Sequence, residues 1–307
     1  MLAGDDMEFL KAIEEKRQSL YNGYQKEQKT AFLFVGVGLL LAGIGFIMTQ
    51  MFLLIPGIIL LLVAGAFFGK AQNHARSFRR IVKSELVTTL LKETFEDVSY
   101  DQFSFIPIST INQTQTIKRP DRYHGEDYMK GTYKGVKFEL SDIDLKERVE
   151  TRDSKGNVTV SYQTYFKGRW YIFKFERNFN EVLKIIEGRG YQANTRGLTK
   201  IDTEMIEFNK KFAIYSTTQE HAFYLITSSM LEKLMALEKL HRGSILYCFQ
   251  GNELHIGVND NRNYLELSIK TPIQEESIKD FIADIDLIPA IINELRLDSQ
   301  KFKNNSL

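Results

Sequence analysis

The longest apolar run of the chain extends from Ala31 to Gly69, and none of its 39 residues is charged. As one helix, this run would be about 58 Å long, roughly twice the hydrocarbon thickness of a bilayer. It therefore crosses a membrane twice or not at all. The natural break is the polar dipeptide Thr49-Gln50. The pattern predicts two transmembrane helices, at about residues 31–47 and 52–69, each about 26 Å long.

Amphipathic patterns flank this run on both sides, with apolar residues at roughly helical spacing among charged ones. The apolar positions are Phe9, Leu10, Ile13, Leu20, Tyr21 and Tyr24 before the run, and Phe78, Ile81, Val82, Leu86 and Leu90 after it. We expect two helices that extend the transmembrane pair and lie against each other. Residues 1–95 are therefore predicted to form one helical region.

The pattern then changes to that of a mixed domain, which we place at 96–298, before a tail at 299–307. Val136, Phe138 and Leu140 alternate with polar residues, as in a strand with one buried face. The alternation changes parity near Ser141-Asp142, which predicts a bulge or turn there. Predicted strands and helices come in blocks. This favours an α+β fold with an antiparallel-rich sheet and packed helices over a doubly wound dinucleotide fold.

The first half of this domain gives several further predictions. A turn at Lys167-Gly168 precedes an aromatic strand at Trp170–Phe175, and a short helix is expected near Asn180–Glu187. Another strand is predicted at Phe212–Tyr215. Ser229–Glu232 fits a capping box, in which the serine and glutamate side chains satisfy free amides at the start of a helix.

The last third contains a hairpin signal. Gly251-Asn252 lies between the apolar runs Ile245–Phe249 and Leu254–Val258, which predicts two strands joined by a tight turn. A further strand is expected at Tyr264–Ile269. The amphipathic helix that follows should break or restart at Pro289.

Two glycines in the first predicted span indicate helix packing. Gly36 and Gly43 are seven residues apart and share one helical face, so they allow a close approach by a second helix. That helix is either the partner in the same hairpin or a helix of a second copy in a homo-oligomer. Both arrangements stay open.

Composition and charge narrow the classes of function. Lys and Arg total 40 against 39 Asp and Glu, a net charge of +1, so the chain lacks the basic excess of a dedicated nucleic-acid binder. The single cysteine, Cys248, excludes a disulfide scaffold, and we expect it to be a buried, inert thiol. Neither predicted span contains a titratable residue, so the spans are typical of an anchor and not of an ion path.

Basic residues lie on both outer sides of the apolar run, and the connecting turn has none. They are Lys11, Lys16, Arg17, Lys26 and Lys29 before it, and Lys70, Arg76, Arg79, Arg80, Lys83 and Lys92 after it. The positive-inside rule then places both termini in the cytoplasm. The predicted location is the cell membrane, with the α+β domain facing the cytoplasm.

Four of these residues, Arg76, Arg79, Arg80 and Lys83, form a juxtamembrane basic cluster. They are candidate ligands for anionic lipid headgroups, because each basic residue near a membrane surface contributes about 1 kcal/mol of attraction. The same cluster can also serve only to set the topology.

A second candidate site is the polar group His124, Glu126 and Asp127, in a segment that we predict to be a loop. A titratable histidine beside carboxylates is suited to proton transfer, and a solvated loop is the alternative interpretation. Neither a phosphate-binding loop nor a metal-ligand spacing accompanies it. We therefore predict no catalytic residues, no metal and no cofactor.

Short motifs along the chain, taken in their order and spacing, resemble those of a known family. They are Gly125–Tyr128 with Gly131, Phe166–Gly168, Phe212–Ser216, Tyr224–Ser228, Gly251–Ile256, Ile282–Ile285 and Asn293–Asp298. With the two-helix anchor, they resemble a bacterial family defined as a domain of unknown function, numbered 3137. Two positions depart from the family pattern: Ser228 stands where proline is expected, and Pro289 lies in a helix expected to be unbroken.

The resemblance implies a membrane-anchored cytosolic domain, assigns no catalytic residue and hints at an envelope partner of the LemA type. The leading hypothesis is a non-enzymatic binding or scaffold module whose immediate partner is the lipid bilayer. Two alternatives remain. One is a membrane-associated enzyme that acts on lipid or peptide through the segment 123–128. The other is an anionic-lipid sensor that uses the basic cluster.

Overall fold

The structure, a computed structural model, describes residues 4–188, 192–240 and 243–304. Its backbone divides into two compact units. The first unit combines Met1–Thr89 with Leu267–Phe281, and the second combines Leu90–Glu266 with Ile282–Leu307. Each unit is therefore assembled from two separate stretches of the chain.

Two long helices form most of the first unit. Helix α1 extends over Gly4–Ile47 and α2 over Met51–Phe78, and a short turn joins them. Thr49 in this turn has a positive φ of 55°. Both predicted apolar segments lie inside these helices. The predicted helix before the first span is the beginning of α1 itself, which at 44 residues is about 66 Å long.

The apolar parts of both helices face outward. Only 17% of the most apolar window in α1 and 11% of that in α2 is buried inside the structure. A core helix of a soluble protein would have most of this surface covered. Large side chains such as Leu40 and Leu62 are exposed instead. By length and composition, both helices are able to span a membrane.

Gly57 marks a close approach of the two helices. A Cβ atom added there would lie 2.6 Å from the amide nitrogen of Ala42 and 2.8 Å from the carbonyl oxygen of Gly38. The predicted contact through Gly36 and Gly43 within the hairpin is wrong, because a Cβ atom at either position would meet nothing within 4 Å in this chain. The facing side of α1 is set by Gly38, two residues further along the helix.

Helix α2 continues through a π-helical turn, Arg79–Lys83, into α3, Ser84–Thr94. Phe78, Val82 and Leu86 are buried, as their spacing predicts, while Ile81 is exposed. A π turn contains more residues than an α turn, so it shifts the phase of the side chains that follow.

The third element of the first unit is the segment Leu267–Phe281, which attaches to α1 through Glu14 and Arg17. Arg17 Nη1 donates to the carbonyl oxygen of Ile269 at 2.6 Å, and the amide of Ile273 donates to Glu14 Oε2 at 2.7 Å. Glu14 and Arg17 are themselves paired at 2.6 Å. Together these four residues form the tie between the segment and α1.

Seven antiparallel strands form the sheet in the described part of the second unit. They are β1 Glu96–Asp101, β2 Arg122–Tyr133, β3 Val136–Arg152, β4 Val158–Glu187, β5 Thr199–Ile201, β6 Phe212–Ser216 and β7 Ser244–Asn259. The order is β1-β2-β3-β4-β6-β5, and β7 pairs with β4. The α+β fold class is confirmed.

Helices connect and flank the strands. They are α4 Ile108–Thr114, α5 Ile206–Lys211, α6 Gln219–Leu225, α7 Ser228–Leu240 and α8 Glu275–Leu295, followed by a 3₁₀ turn at Gln300–Phe302. Two predicted features are wrong. Helix α8 continues through Pro289 without a break. The start of α7 is capped by Thr227, whose Oγ1 accepts from the amide of Met230 at 3.3 Å, and not by the box at Ser229–Glu232.

Strand β4 has 30 residues and is paired along both edges over much of its length. Gly168–Lys174 lies between β3 and β7, and Leu183–Ile186 lies between β6 and β7. The helix predicted near Asn180–Glu187 is therefore wrong, since two ladders of hydrogen bonds override the local preference. The turn predicted at Lys167-Gly168 is also wrong. Glycine is required at 168 because a Cβ atom would lie 2.1 Å from the carbonyl oxygen of Val258.

Strand β7 is continuous where the sequence predicts a hairpin. Its two halves both pair with β4, and the register shifts between them. Gly251, with a φ of 62°, lies at this irregularity. The glycine therefore serves a bulge and not a reversal of the chain. The strand predicted at Tyr264–Ile269 is wrong as well, since that segment is irregular and Leu265 has a φ of 53°.

The bulge or turn predicted near Ser141-Asp142 is not in β3 itself, although the register of the neighbouring β2 shifts opposite these residues, between Glu126 and Met129. Strand β3 keeps a regular register with β4 from Lys137 to Leu145, and the bulge follows Leu145. Asp142 lies on the same face as Leu140 and is buried. A buried aspartate thus interrupts the apolar alternation, and β3 continues through this position with regular pairing to β4.

The two faces of the central sheet differ in chemistry. One face carries an apolar core that includes Ile143, Trp170 and Ile172, covered by Ile111 of α4. Because side chains alternate along a strand, Asp142 and Arg169 lie on the opposite face. That face holds the polar residues described next.

Candidate functional site

Arg169 and Asp142 form an ion pair inside the second unit. They are direct cross-strand partners on β4 and β3, so their side chains lie side by side. Arg169 Nε donates to Asp142 Oδ1 at 2.6 Å, and the two side chains are 0% and 5% exposed. A pair so completely removed from water requires further hydrogen bonds or stacking to be stable.

Tyr264, in the loop after β7, supplies these contacts. Its amide donates to Asp142 Oδ2 at 2.8 Å, and its ring lies 4.1 Å from the guanidinium carbon of Arg169. Its hydroxyl donates to Asp260 Oδ2 at 2.5 Å, which fixes the ring. Neither Nη atom of Arg169 forms a hydrogen bond with the described residues, and the face of Tyr264 is a further contact of the guanidinium beside Asp142.

Burial shifts the pKa values of the two partners in opposite directions. Burial raises the pKa of Asp142 to about 6, although Arg169 and the amide of Tyr264 both lower it. Burial lowers the pKa of Arg169, but the negative charge of Asp142 outweighs this effect and raises it above its usual value. Because the pair has almost no contact with solvent, its arrangement is typical of a structural role and not of proton exchange with a substrate.

Asp127 is a second buried carboxylate, and its charge raises the pKa of Asp142 further. It lies in β2, where the register shifts between Glu126 and Met129, and has a φ of 58°. Tyr100 donates its hydroxyl to Asp127 Oδ1 at 2.5 Å. The predicted polar loop at this position is therefore wrong: the segment is a strand, and a bulge turns Asp127 inward.

Three acidic residues meet at this bulge. The carboxylate oxygens of Glu126, Asp127 and Glu266 lie within 4.8 Å of one another. Oxygen ligands of this kind suit a hard divalent cation. One oxygen of Asp127 is already bonded to Tyr100, so the group offers fewer ligands than its three carboxylates suggest.

His124 does not join this acidic group. Its side chain is exposed, and its ring lies 5.9 Å from that of Phe105. Asp127 is buried and Glu126 half-buried. The structure thus brings two of the three residues of the predicted polar cluster together with Glu266 and leaves the histidine outside.

A groove of about 650 Å³ lies in the first unit, between the helices α1 and α2. Its lining residues are Tyr24 and Gln28 on α1, and Ala66, Phe68, Gly69, Lys70, Ala71, Gln72, Asn73 and Arg76 on α2. Its polar residues include two cations, Lys70 and Arg76.

Only one of the four residues of the predicted headgroup cluster lines this groove. Arg76 lines it, whereas Arg79 and Arg80 are exposed on the π turn. Lys83 is buried, with only 3% of its surface accessible. The four residues therefore do not form one continuous basic patch, and Arg76 is the member that faces a cavity.

The fold defines the class of the protein: an antiparallel α+β unit combined with a hairpin of two long, outward-facing apolar helices. Residues 164–297 match the model of a family described as a protein of unknown function, DUF3137. This match extends from β4 past the end of α8 and supports the family that the sequence motifs indicate. The family description assigns no activity to these residues.

Among solved structures, the chain is similar to the crystal structure of the mycobacterial trehalose monomycolate transport factor A, TtfA. The TM-score is 0.36 at 8% identity, and the similarity covers 69% of this chain and 95% of that one. A likeness at this level carries nothing about function. A comparison with curated protein sequences gives no match.

Reasoning from the sequence missed the Arg169–Asp142 pair. The strand around Arg169 is otherwise apolar and aromatic, and Asp142 interrupts an apolar alternation. Two opposite charges that each break a buried pattern are a signal that could have indicated a cross-strand pair. The groove between the helices leaves no comparable signal, since it depends on which helix faces meet.

Proposed function

We propose that the protein is a membrane-anchored binding module, in which the first unit spans a bilayer twice and the second unit lies on the cytoplasmic side. The observation that carries the proposal is the outward-facing apolar surface of α1 and α2, free of charge from Ala31 to Gly69. Covering apolar surface with lipid gains about 25 cal/mol per Å². In water, an exposed apolar surface of this size would promote aggregation.

The distribution of charge supports the orientation. The turn at Met48–Gln50 contains no basic residue, while Lys29 and Lys70 lie directly outside the two ends of the charge-free run. Lys26 and Arg76 follow further from the membrane, and all four are exposed. Such an asymmetry favours a short external turn and two cytoplasmic ends.

The second unit favours binding over catalysis. Its most perturbed ionisable pair, Asp142 and Arg169, is shielded from solvent and held by internal contacts. His124 lies outside the group formed by Glu126, Asp127 and Glu266. These features support a binding role for the exposed surfaces of the unit.

Cysteine labelling tests the topology directly, because the one native cysteine, Cys248, is buried. We would introduce Thr49→Cys and Gln300→Cys separately, and treat intact cells with a membrane-impermeant maleimide. Labelling of T49C alone, with Q300C labelled only after lysis, is expected. Labelling of Q300C in intact cells, or release of the protein by alkaline carbonate, contradicts the proposal.

The binding role is tested by crosslinking the full-length protein in its native cells, followed by gentle solubilisation and purification. A partner recovered in fixed stoichiometry, and lost when exposed residues of the second unit are changed, supports the binding module. Recovery of the protein without any partner under conditions that retain known membrane complexes argues against it.

A further inference from the structure

We propose that the groove between α1 and α2 binds the phosphate-bearing headgroup of an anionic phospholipid. This inference rests on the proposed function, since such a lipid is present at the groove only if the helices span a bilayer. The groove volume of about 650 Å³ lies within the range of about 300–1,000 Å³ typical of small-molecule sites.

The groove lies at the level where lipid headgroups are found. Its wall on α2 includes Gly69, the last residue of the charge-free run, and reaches Arg76. Its wall on α1 includes Gln28, three residues before the run begins. One side of the groove therefore borders the hydrocarbon and the other borders water, as the headgroup region of a bilayer does.

Contacts on either side of this level define the length of the groove. On the membrane side, the rings of Phe34 and Phe67 lie 5.4 Å apart between the helices. On the other side, Gly23 lies against His74, since an added Cβ atom would be 2.6 Å from its Cε1. The helices are thus in contact on both sides of the groove.

Small residues form part of the groove lining. Ala66, Gly69 and Ala71 all line the groove, and Ala71 is buried. A Cβ atom added to Gly69 would meet nothing within 4 Å. A larger side chain at 69 would therefore project into free space and reduce the volume available to a ligand.

The polar lining suits an anion. Lys70 and Arg76 provide two positive charges, and the amides of Gln28, Gln72 and Asn73 add neutral donors. No carboxylate is among the described residues that line the groove. Arginine in particular binds phosphate through two parallel hydrogen bonds.

An aromatic residue completes the site. Tyr24 lines the groove, stacks on Tyr21 at 6.4 Å, and has Lys270 Nζ 5.8 Å from its ring centroid. Lys270 belongs to the same unit and brings a third cation next to the groove. A tyrosine with one apolar face and one hydroxyl is suited to the boundary between lipid and water.

The apolar end of the groove distinguishes a lipid from free phosphate. Ala66 and Phe68 line it on the side of the charge-free run. A headgroup attached to acyl chains would place its glycerol and first methylene groups there, whereas inorganic phosphate has nothing to bury against Phe68.

The test uses purified, delipidated full-length protein and native mass spectrometry. The probes are phosphatidylglycerol, phosphatidylcholine and inorganic phosphate, each titrated separately. The double variant K70Q/R76Q removes both cations of the groove. The control K26Q/K29Q removes two exposed cations of α1 that do not line it. Gly69→Leu fills the groove and leaves every charge in place.

We expect K70Q/R76Q and Gly69→Leu each to weaken phosphatidylglycerol binding about 10-fold, with little change in K26Q/K29Q. Equal losses in K70Q/R76Q and K26Q/K29Q would show general surface attraction and overturn the groove. Binding of inorganic phosphate with similar affinity would overturn the assignment to a lipid. Alkaline carbonate extraction of the same variants separates this result from the proposed function, because membrane insertion is expected in all of them.

Discussion

Arg169 on β4 and Asp142 on β3 face each other across one rung of the sheet, with 2.6 Å between Nε and Oδ1 and no more than 5% of either side chain exposed. Removal of either partner leaves an uncompensated charge in a space without water. Such a loss costs about 3–5 kcal/mol, far more than an exposed ion pair.

Arg169→Met should therefore reduce the free energy of unfolding of the second unit by about 3–5 kcal/mol. The fluorescence of Trp170, the one tryptophan of the chain and a buried neighbour of Arg169, reports this unfolding in urea. Glu150→Gln is the matched control, because Glu150 pairs with Arg148 at the surface and should contribute less than about 1 kcal/mol. Equal effects in both variants would contradict the structural role of the buried pair.

His221 should make the stability of the second unit depend on pH. Its side chain is 5% exposed, and its Nε2 has no hydrogen-bond partner among the described residues. Burial lowers its pKa below the usual 6.5, and Glu181 offsets only part of this effect. The unfolded chain therefore takes up a proton before the folded chain does as the pH falls.

We accordingly expect the parent protein to lose stability relative to His221→Gln as the pH falls from 7.5 to 5.5. Urea titrations followed by Trp170 fluorescence at several pH values measure the difference. If the two proteins change in parallel over this range, His221 is not responsible. At pH 7.5 and above, the difference between them should no longer depend on pH.

Gly57 and Gly43 form a matched pair for the packing of the helices. Gly57→Leu would force a side chain against the backbone of Ala42 and Gly38, whereas Gly43→Leu would project into open space. Overpacking typically costs about 1–3 kcal/mol. Thermal unfolding of the purified protein, followed by helical circular dichroism, should show a lower Tm for G57L alone. A lower Tm for G43L would reveal a packing partner for that face.

The tie formed by Glu14 and Arg17 should control the protection of the segment Leu267–Phe281. In Glu14→Gln, the amide of Ile273 loses its charged acceptor, so we expect faster hydrogen exchange at residues 269–273. Glu15→Gln is the control, because Glu15 is exposed on the same helix. Exchange rates that are the same in E14Q and E15Q would show that the tie does not hold the segment.

The same tie should weaken in acid. The hydrogen bond from Arg17 lowers the pKa of Glu14, although burial opposes this, so the contribution of the tie is present above the usual pKa of 4.5. It is lost as the pH falls through the lowered value. Hydrogen exchange at residues 269–273 should therefore accelerate at the acid end of a pH series, after correction for the intrinsic rate.

The two apolar segments could be predicted from the sequence because one strong pattern, 39 residues without charge, is about twice the length that crosses a bilayer and so fixes their number. The strands of the sheet could be predicted less completely from the sequence. Local signals at Lys167-Gly168 and Gly251-Asn252 are typical of turns, but both glycines lie within strands. At Gly168 the cause is the close approach of β7, and a contact between distant strands leaves no mark on the neighbouring sequence.

The candidate sites show the same limit. Arg76 could be selected from the sequence because basic residues beside an apolar run attract lipid headgroups. Tyr24, which lines the same groove, could not, because the two residues come to share a cavity only after α1 and α2 pack in one particular rotation. Asp127 could be identified as a candidate from the sequence because His124 and Glu126 lie close to it. Its inward orientation could not, because it depends on a bulge between Glu126 and Met129 that no local motif specifies.

The contact between Arg17 and Ile269 also sets an order of events during synthesis. These residues are 252 positions apart. At about 5–20 residues per second, a ribosome needs roughly 13–50 s to make the chain between them. Helix α1 therefore emerges, and α2 after it, long before the segment that completes their unit exists. Under the proposed anchoring, entry of the hairpin into a membrane and completion of the unit are separate steps, and the whole of Leu90–Glu266 must be synthesised between α2 and the segment that completes the unit.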